Sequence, residues 1–367
     1  MRREWCACRR VVNPWRLKAA IRGVSLVCLL GLSKLAYAEP YQLGHGYDLP
    51  FLGLNAGGYS SVQGSDINGV PSKLSLQDLS LFLRKDFTPD WHFFTEIELG
   101  QPLVFSPAGL SASSTDFDIE RLYVDHNLSA RTTLRIGKFL TPIGRWNQIH
   151  ADPLVWTVSR PLTTATAFAK NATGLQIYGT WPLADSSIDY QVFLDNSNDL
   201  DPTDGHESVY ADPETQPNPP NAFRQGAGAR LKYRSLNDDL QIGLSVDHFE
   251  MKNQPGYKNL VGADVFYTHN RVEIQSELVY RKDENFAHKT EWGGYVQAVV
   301  PLLEHFYGVL AHERYKAELF DEPVNSNIVD ITYRPTPPFS IKLEHRQSTG
   351  AVQLAPSGWF VSMALLF

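Results

Sequence analysis

Beyond residue 38 this 367-residue chain has no cysteine, because Cys6, Cys8 and Cys28 all lie in the N-terminal segment. That absence excludes disulfides, thiolate metal ligands and cysteine nucleophiles from the remainder. After Glu39 there is also no continuous apolar run of the ~20 residues that a membrane-spanning helix needs. Positive charge is scarce too. Of 33 basic and 40 acidic residues, the first 38 positions hold eight and one, which leaves 25 against 39 and a net charge of −14. Nucleic-acid binding is excluded on that balance, since it depends on Lys and Arg neutralising phosphates.

What the N-terminus does hold is a basic opening (Arg2, Arg3, Arg9, Arg10, Arg16, Lys18 and Arg22), an apolar run from Val24 to Leu32, and the small-x-small triplet Ala36-Tyr37-Ala38. This is the pattern of a secretory signal peptide over residues 1–38, cleaved before Glu39. The apolar run is too short to span a bilayer. A secreted, aromatic-rich chain without a spanning helix can live in a membrane only as a closed β-barrel, in which every backbone N–H and C=O is paired.

Sixteen segments of period two fit that architecture. Leu74 to Arg84 sets Leu79, Leu81 and Leu83 against Ser80, Phe82 and Arg84, and Leu240 to Val246 sets Leu240, Ile242, Leu244 and Val246 against Gln241, Gly243 and Ser245. The other fourteen begin near Leu52, Phe93, Phe117, Leu134, Leu175, Ile188, Phe223, Val261, Val272, Gly294, Phe306, Val329, Phe339 and Trp359. A phase slip at Glu120-Arg121 predicts a bulge. Short and long connections alternate, as they do between the periplasmic turns and external loops of outer-membrane barrels. Aromatic residues gather at the segment ends: Trp91, Trp181, Tyr233, Tyr267 and Phe306 by the short turns, and Phe249, Tyr280, Trp292, Tyr315 and Trp359 by the long loops. Two interfacial girdles are therefore expected. The fold class is all-β, a transmembrane antiparallel β-barrel of about 16 strands over residues 39–367, preceded by the cleaved signal peptide.

The last segment carries a resemblance. Trp359, Val361, Met363, Leu365 and Phe367 share one face of a terminal strand, whose edge has to be closed by pairing within the chain. It resembles the C-terminal signal of bacterial outer-membrane β-barrels, which ends in an alternating run and a Phe. That implies the outer membrane of a Gram-negative cell, with lipid and lipopolysaccharide as surroundings.

A barrel of about sixteen strands is too wide to fill with side chains and leaves an aqueous channel. Polar residues on the inward faces, among them Glu96, Glu98, Arg224, Arg230 and Lys232, are expected to line it. The connection after Leu140 is unlike an exposed loop, since it contains Trp146, Ile149, Leu154, Val155, Trp156, Val158, Leu162 and Phe168. It should pack against the inner wall. Residues 145–170 would then fold into the lumen, and Arg145, His150, Asp152, Arg160 and Lys170 are the candidates for a pore constriction, where low dielectric makes each charge count for more.

The run Gly137-Lys138-Phe139-Leu140-Thr141-Pro142-Ile143-Gly144 leads into that connection. It resembles the porin families related to the phosphate-selective O and P porins, in which a G-K/Q-x-x-x-P-x-G strand enters a loop folded into the lumen. The resemblance implies a homotrimeric pore for passive diffusion of small hydrophilic solutes or ions, with no cofactor or metal. It does not imply phosphate selectivity, because the Arg and Lys lining of those pores is not matched residue by residue. Two other classes remain open. A structural or adhesive barrel would use its loops, for instance the acidic Asp195 to Asp204 segment, whose spacing fails the EF-hand template. A barrel enzyme would need a triad, and only His150 with Asp152 and Ser159 comes near one, so no catalytic residue is assigned.

Overall fold

Alternation of apolar and polar side chains resolves, in a computed structural model, into sixteen long strands and two short ones. The structure describes residues 43–112, 116–149, 151–202, 222–252, 254–284 and 290–367. Residues 1–42, where the signal peptide is expected, His150 and most of the loop from Asn196 to Pro220 lie outside the described residues. In chain order the strands are β1 (Tyr47–Leu49), β2 (Leu54–Ile67), β3 (Lys73–Thr88), β4 (Trp91–Ser106), β5 (Gly109–Ser111), β6 (Asp116–Ser129), β7 (Thr132–Leu140), β8 (Asn171–Pro182), β9 (Ser186–Asp195), β10 (Phe223–Ser235), β11 (Leu240–Met251), β12 (Gln254–His269), β13 (Val272–Asp283), β14 (Thr290–Pro301), β15 (Phe306–Lys316), β16 (Val324–Thr336), β17 (Phe339–Gly350) and β18 (Gly358–Leu366).

Each long strand pairs antiparallel with the next, and β18 returns to β2 with Trp359 opposite Asp66 and Leu366 opposite Tyr59. The sheet therefore closes into a sixteen-stranded barrel with no free edge. The two short strands are hairpin partners of β2 and β4 and stand outside that count. Strand β11 shows why the alternation demands this arrangement. Ile242, Leu244 and Val246 are 41%, 61% and 53% exposed on the outer face, whereas Ser245 and Asp247 are buried inside. An exposed apolar band of this extent, repeated on every long strand except β2, is stable only against lipid.

The bulge expected at Glu120-Arg121 is present: Glu96 pairs with Arg121 and Ile97 with Ile119, which makes Glu120 the extra residue. The turn between β12 and β13 is a two-residue one, in which Asn270 and Arg271 both take positive φ, the type I′ geometry that matches strand twist. Two girdle assignments are corrected. Phe249 and Tyr315 are fully buried inside the barrel and belong to an internal apolar cluster, whereas Tyr280, Trp292 and Trp359 do point outward. Parity along β11 and β15 decides this, because Phe249 and Tyr315 share the face of Asp247 and Glu313.

Closure depends on the last residue. Phe367 exchanges backbone hydrogen bonds with Gly58, at 2.9 and 2.7 Å, and its ring fills the space a Cβ on Gly58 would need. Deleting Phe367 is therefore expected to reduce the heat-modifiable, folded fraction in the membrane severalfold. Wild-type amounts of folded barrel on a cold-loaded gel would show that this clasp is dispensable.

Candidate functional site

The described part of the connection between β7 and β8, residues 141–149 and 151–170, lies inside the barrel. Its neck is tied by local chemistry. Thr141 N donates to the Lys170 carbonyl at 2.9 Å, and Asn147 Nδ2 donates to the carbonyls of Thr141 and Lys170 at 2.9 and 3.0 Å. Arg160 Nη2 completes the knot by donating to Asn147 Oδ1 at 2.9 Å. The apolar residues that made this stretch unlike a surface loop have two destinations. Ile143, Leu162, Phe168 and Ala169 join Phe193, Phe249, Leu260 and Tyr315 of the wall in one cluster. Trp146 and Val155 pack with Tyr295 in another.

An inserted loop brings unpaired backbone groups, and the wall satisfies them with carboxyl, guanidinium and ammonium side chains. Glu277 accepts from the N–H groups of Arg145 and Trp146 at 3.0 and 2.6 Å, Glu344 from Val158 and Ser159 at 2.7 and 3.0 Å, and Glu313 from Leu162 and Thr163 at 2.7 and 3.4 Å. Cations take the carbonyls. Lys342 Nζ donates to those of Asp152 and Thr157, Arg334 to those of Pro153 and Val155, and Arg281 to those of Thr166 and Ala167. Hydrogen bonds to a charged partner contribute about 1.5–3 kcal/mol each, so these six side chains fasten the loop firmly. They belong to β13 and β15–β17, so the loop is fastened to one side of the barrel.

Glycine at both ends of the Gly137–Gly144 run has a structural reason. Gly137 has φ +133°, and a Cβ there would lie 2.1 Å from the Leu122 carbonyl. Gly144 has φ +65°, and a Cβ there would lie 2.2 Å from the Glu277 carboxylate. Any larger residue at 144 pushes Glu277 off the two N–H groups it caps. Gly144→Ala is expected to cost about 1–3 kcal/mol from the backbone alone and to give noisier single-channel current in a barrel that still folds. A quiet, wild-type trace would mean that the Glu277 cap does not hold the loop.

Beyond β18 a gap remains between the loop and β2–β4. It is a cavity of about 70 Å³, with Tyr59, Gln63, Lys73, Asp78 and Glu98 on the wall and Asp152, Arg160 and Lys170 on the loop. Glu98 accepts from Tyr59 Oη and Ser80 Oγ at 2.9 and 3.0 Å, and Asp78 from Ser61 Oγ at 2.8 Å. Gln63 Nε2 bridges the gap to Asp152 Oδ2 at 2.8 Å. Lys170 Nζ lies 2.6 Å from Glu120. Burial acts to lower the pKa of Lys170, but the carboxylates of Glu120 and Glu98 outweigh it and hold the ammonium above its ordinary range. Asp78 and Glu98 on the wall thus face Arg160 and Lys170 on the loop, with Lys73 and Asp152 in the same gap.

Of the five residues expected at a constriction, the structure brings Asp152, Arg160 and Lys170 together. Arg145 is elsewhere, its guanidinium 3.9 Å from the Phe266 ring and bonded to Gln241, and His150 lies outside the described residues. The residues expected to line the lumen are placed differently from one another. Glu98 points inward onto this gap, whereas Glu96 points inward but is sealed against Arg121 at 2.5 Å. Arg230 is clamped bidentately on Asp264 at 2.6 and 2.8 Å, and Lys232 pairs with Asp189 at 3.2 Å. Arg224 is half exposed at the external end of β10, beside a register shift, and pairs with Glu250 rather than lining the lumen. Asp78 was not anticipated. Its signal was a second phase slip, since Gln77 and Asp78 are both buried at the register shift between Leu76 and Asp78.

Outer-membrane proteins are among the solved structures that superpose on this chain. Salmonella typhi OmpF, in complex with daunomycin, superposes with a TM-score of 0.60 at 9% identity, covering 88% of this chain and 98% of that one. The fold is that of the outer-membrane porins. The anion-selective porin from Comamonas acidovorans matches at 0.58 and 12% identity over 86% of this chain and 99% of that one. OmpT, an outer membrane protein of Vibrio cholerae described in a trimer form, matches at 0.54 and 8% identity over 86% and 99%. An uncharacterized protein of Aquifex aeolicus is 24% identical over 348 residues, covering 80% of this chain and 75% of that one. No protein-family profile matches the chain.

Proposed function

We propose that the chain, once its signal peptide (residues 1–38) is removed, forms a water-filled channel in the Gram-negative outer membrane for passive diffusion of small hydrophilic solutes or ions. The observation that carries this reading is the asymmetry inside the barrel: a loop fastened to β13 and β15–β17, and a charge-lined gap left between it and β2–β4. A barrel built only for adhesion has no need of carboxylates opposed to cations across an internal gap. In a channel that arrangement sets the field on a passing ion. Asp152, Arg160 and Lys170 of the loop, with Asp78 and Glu98 of the wall, are the constriction residues of this reading.

A homotrimer is proposed with it, on the analogy of the trimer form of the Vibrio cholerae barrel. Kinship with the families related to the phosphate-selective O and P porins is proposed on the Gly137–Gly144 run alone, without their selectivity. We assign no catalytic step. Ser159 Oγ donates to Glu344 and accepts from Arg346, and Asp152 is engaged by Gln63, so both have structural partners. Liposome swelling tests the reading. Vesicles carrying the folded protein should swell in small neutral sugars and swell more slowly as solute size rises, whereas vesicles that remain tight to all of them would contradict it.

A further inference from the structure

A second cavity, of about 160 Å³, lies between the loop and the inner wall of β12–β14 and β16, away from the charged gap. One water needs ~10–15 Å³ of such space, so it has room for roughly ten. Its apolar lining consists of Trp146, Ile149, Leu154, Val155, Trp156 and Phe266. Two guanidiniums reach it: Arg145 stacked 3.9 Å from the Phe266 ring, and Arg334 stacked 3.9 Å from the Trp156 ring.

Neither guanidinium forms an ion pair among the described residues. Arg145 Nη1 donates to Gln241 Oε1 at 3.0 Å, and Arg334 Nη2 to the carbonyls of Pro153 and Val155 at 3.0 and 3.1 Å. Both Nε–H groups are sealed from solvent without an acceptor. Arg145 Nη2 and Arg334 Nη1 donate to no described group and are not among the sealed atoms, so they remain accessible. Glu273 is the carboxylate that acts most strongly on both arginines, and it already accepts from Trp156 Nε1 at 2.7 Å. Two cations and one anion line the cavity beside an aromatic wall.

We propose that this cavity is a binding site for a small monocarboxylate with an apolar or aromatic body. The carboxylate would take the free N–H groups of Arg145 and Arg334, whose planar forks match its two oxygens. The body would lie against Trp146, Trp156 and Phe266, burying apolar surface that water now wets. A phosphate dianion fits less well, because its second charge would lie beside Glu273 and a lining that is otherwise largely apolar. The site deepens the channel reading by naming a solute class, but its occupancy does not require conduction.

The test is isothermal titration calorimetry of the purified, folded full chain in detergent, with sodium benzoate as probe and inorganic phosphate and acetate for comparison. Saturable binding of about one benzoate per chain is expected, tighter than phosphate or acetate. Arg334 also holds loop carbonyls, so the deciding variant is Arg145→Gln, whose backbone pin on Glu277 is kept. Loss of one charge-assisted pair should weaken benzoate by about tenfold or more. No saturable heat with the wild-type protein, an unchanged affinity in Arg145→Gln, or tighter binding of phosphate than of benzoate would each overturn the site. A preparation that binds benzoate yet fails to swell liposomes would count against the channel and leave the site standing.

Discussion

Channels lacking residues 149–165 are expected to carry about twice the wild-type current or more, because a sixteen-stranded lumen is wide once nothing is folded into it. The deletion removes the Glu344 and Glu313 caps and the Trp156 anchor on Glu273, while Trp146 stays docked on Glu277. Two buried carboxylates then lose their partners, so the variant will be less stable as well as more conductive. Single-channel recordings, restricted to protein that shows heat-modifiable mobility, check the outcome. An unchanged conductance in folded protein would mean that the loop lies outside the path of the ions.

Lys170→Met should shift selectivity furthest among single substitutions. The ammonium is 2.6 Å from Glu120 and is also held by the field of Glu98, and removing it leaves those carboxylates uncompensated beside the gap. The zero-current potential in a salt gradient should move toward cations. Truncating one partner of a buried pair costs about 3–5 kcal/mol, so the folded fraction should fall in parallel. The sign of the pH dependence follows from the raised pKa: the stabilisation is full below the unfolded-state value and is lost only as pH rises through the folded one. The positive charge of Lys170 itself should therefore be constant over roughly pH 6 to 9, below the ordinary lysine range. A zero-current potential unaltered by Lys170→Met would remove this residue from the constriction.

Much of this architecture was legible in the amino-acid sequence, and the reasons are particular. A strand such as β11 carries its own orientation, because one residue of register error would turn Leu244 inward and Asp247 into lipid. The inserted loop was legible from misplaced apolar residues, Trp146 and Phe168 above all, which had nowhere to go but inside. The side of the barrel on which it docks was not. The caps that decide it, Glu277, Glu313 and Glu344, lie more than a hundred residues along the chain from the loop groups they hold, and alternation says only that they face inward. For the same reason Arg145 was grouped with Lys170, although the loop turns between them and presents the two to different cavities. Arg224 and Asp78 were misread or missed where a register shift breaks the period on which the reading depended.

The most direct measurement is the current through single molecules of the purified, folded chain in a planar bilayer of defined salt. The account predicts discrete, long-lived, ohmic conductance steps whose size rises when residues 149–165 are removed. Folded, inserted protein that passes no current, with or without that segment, would contradict it.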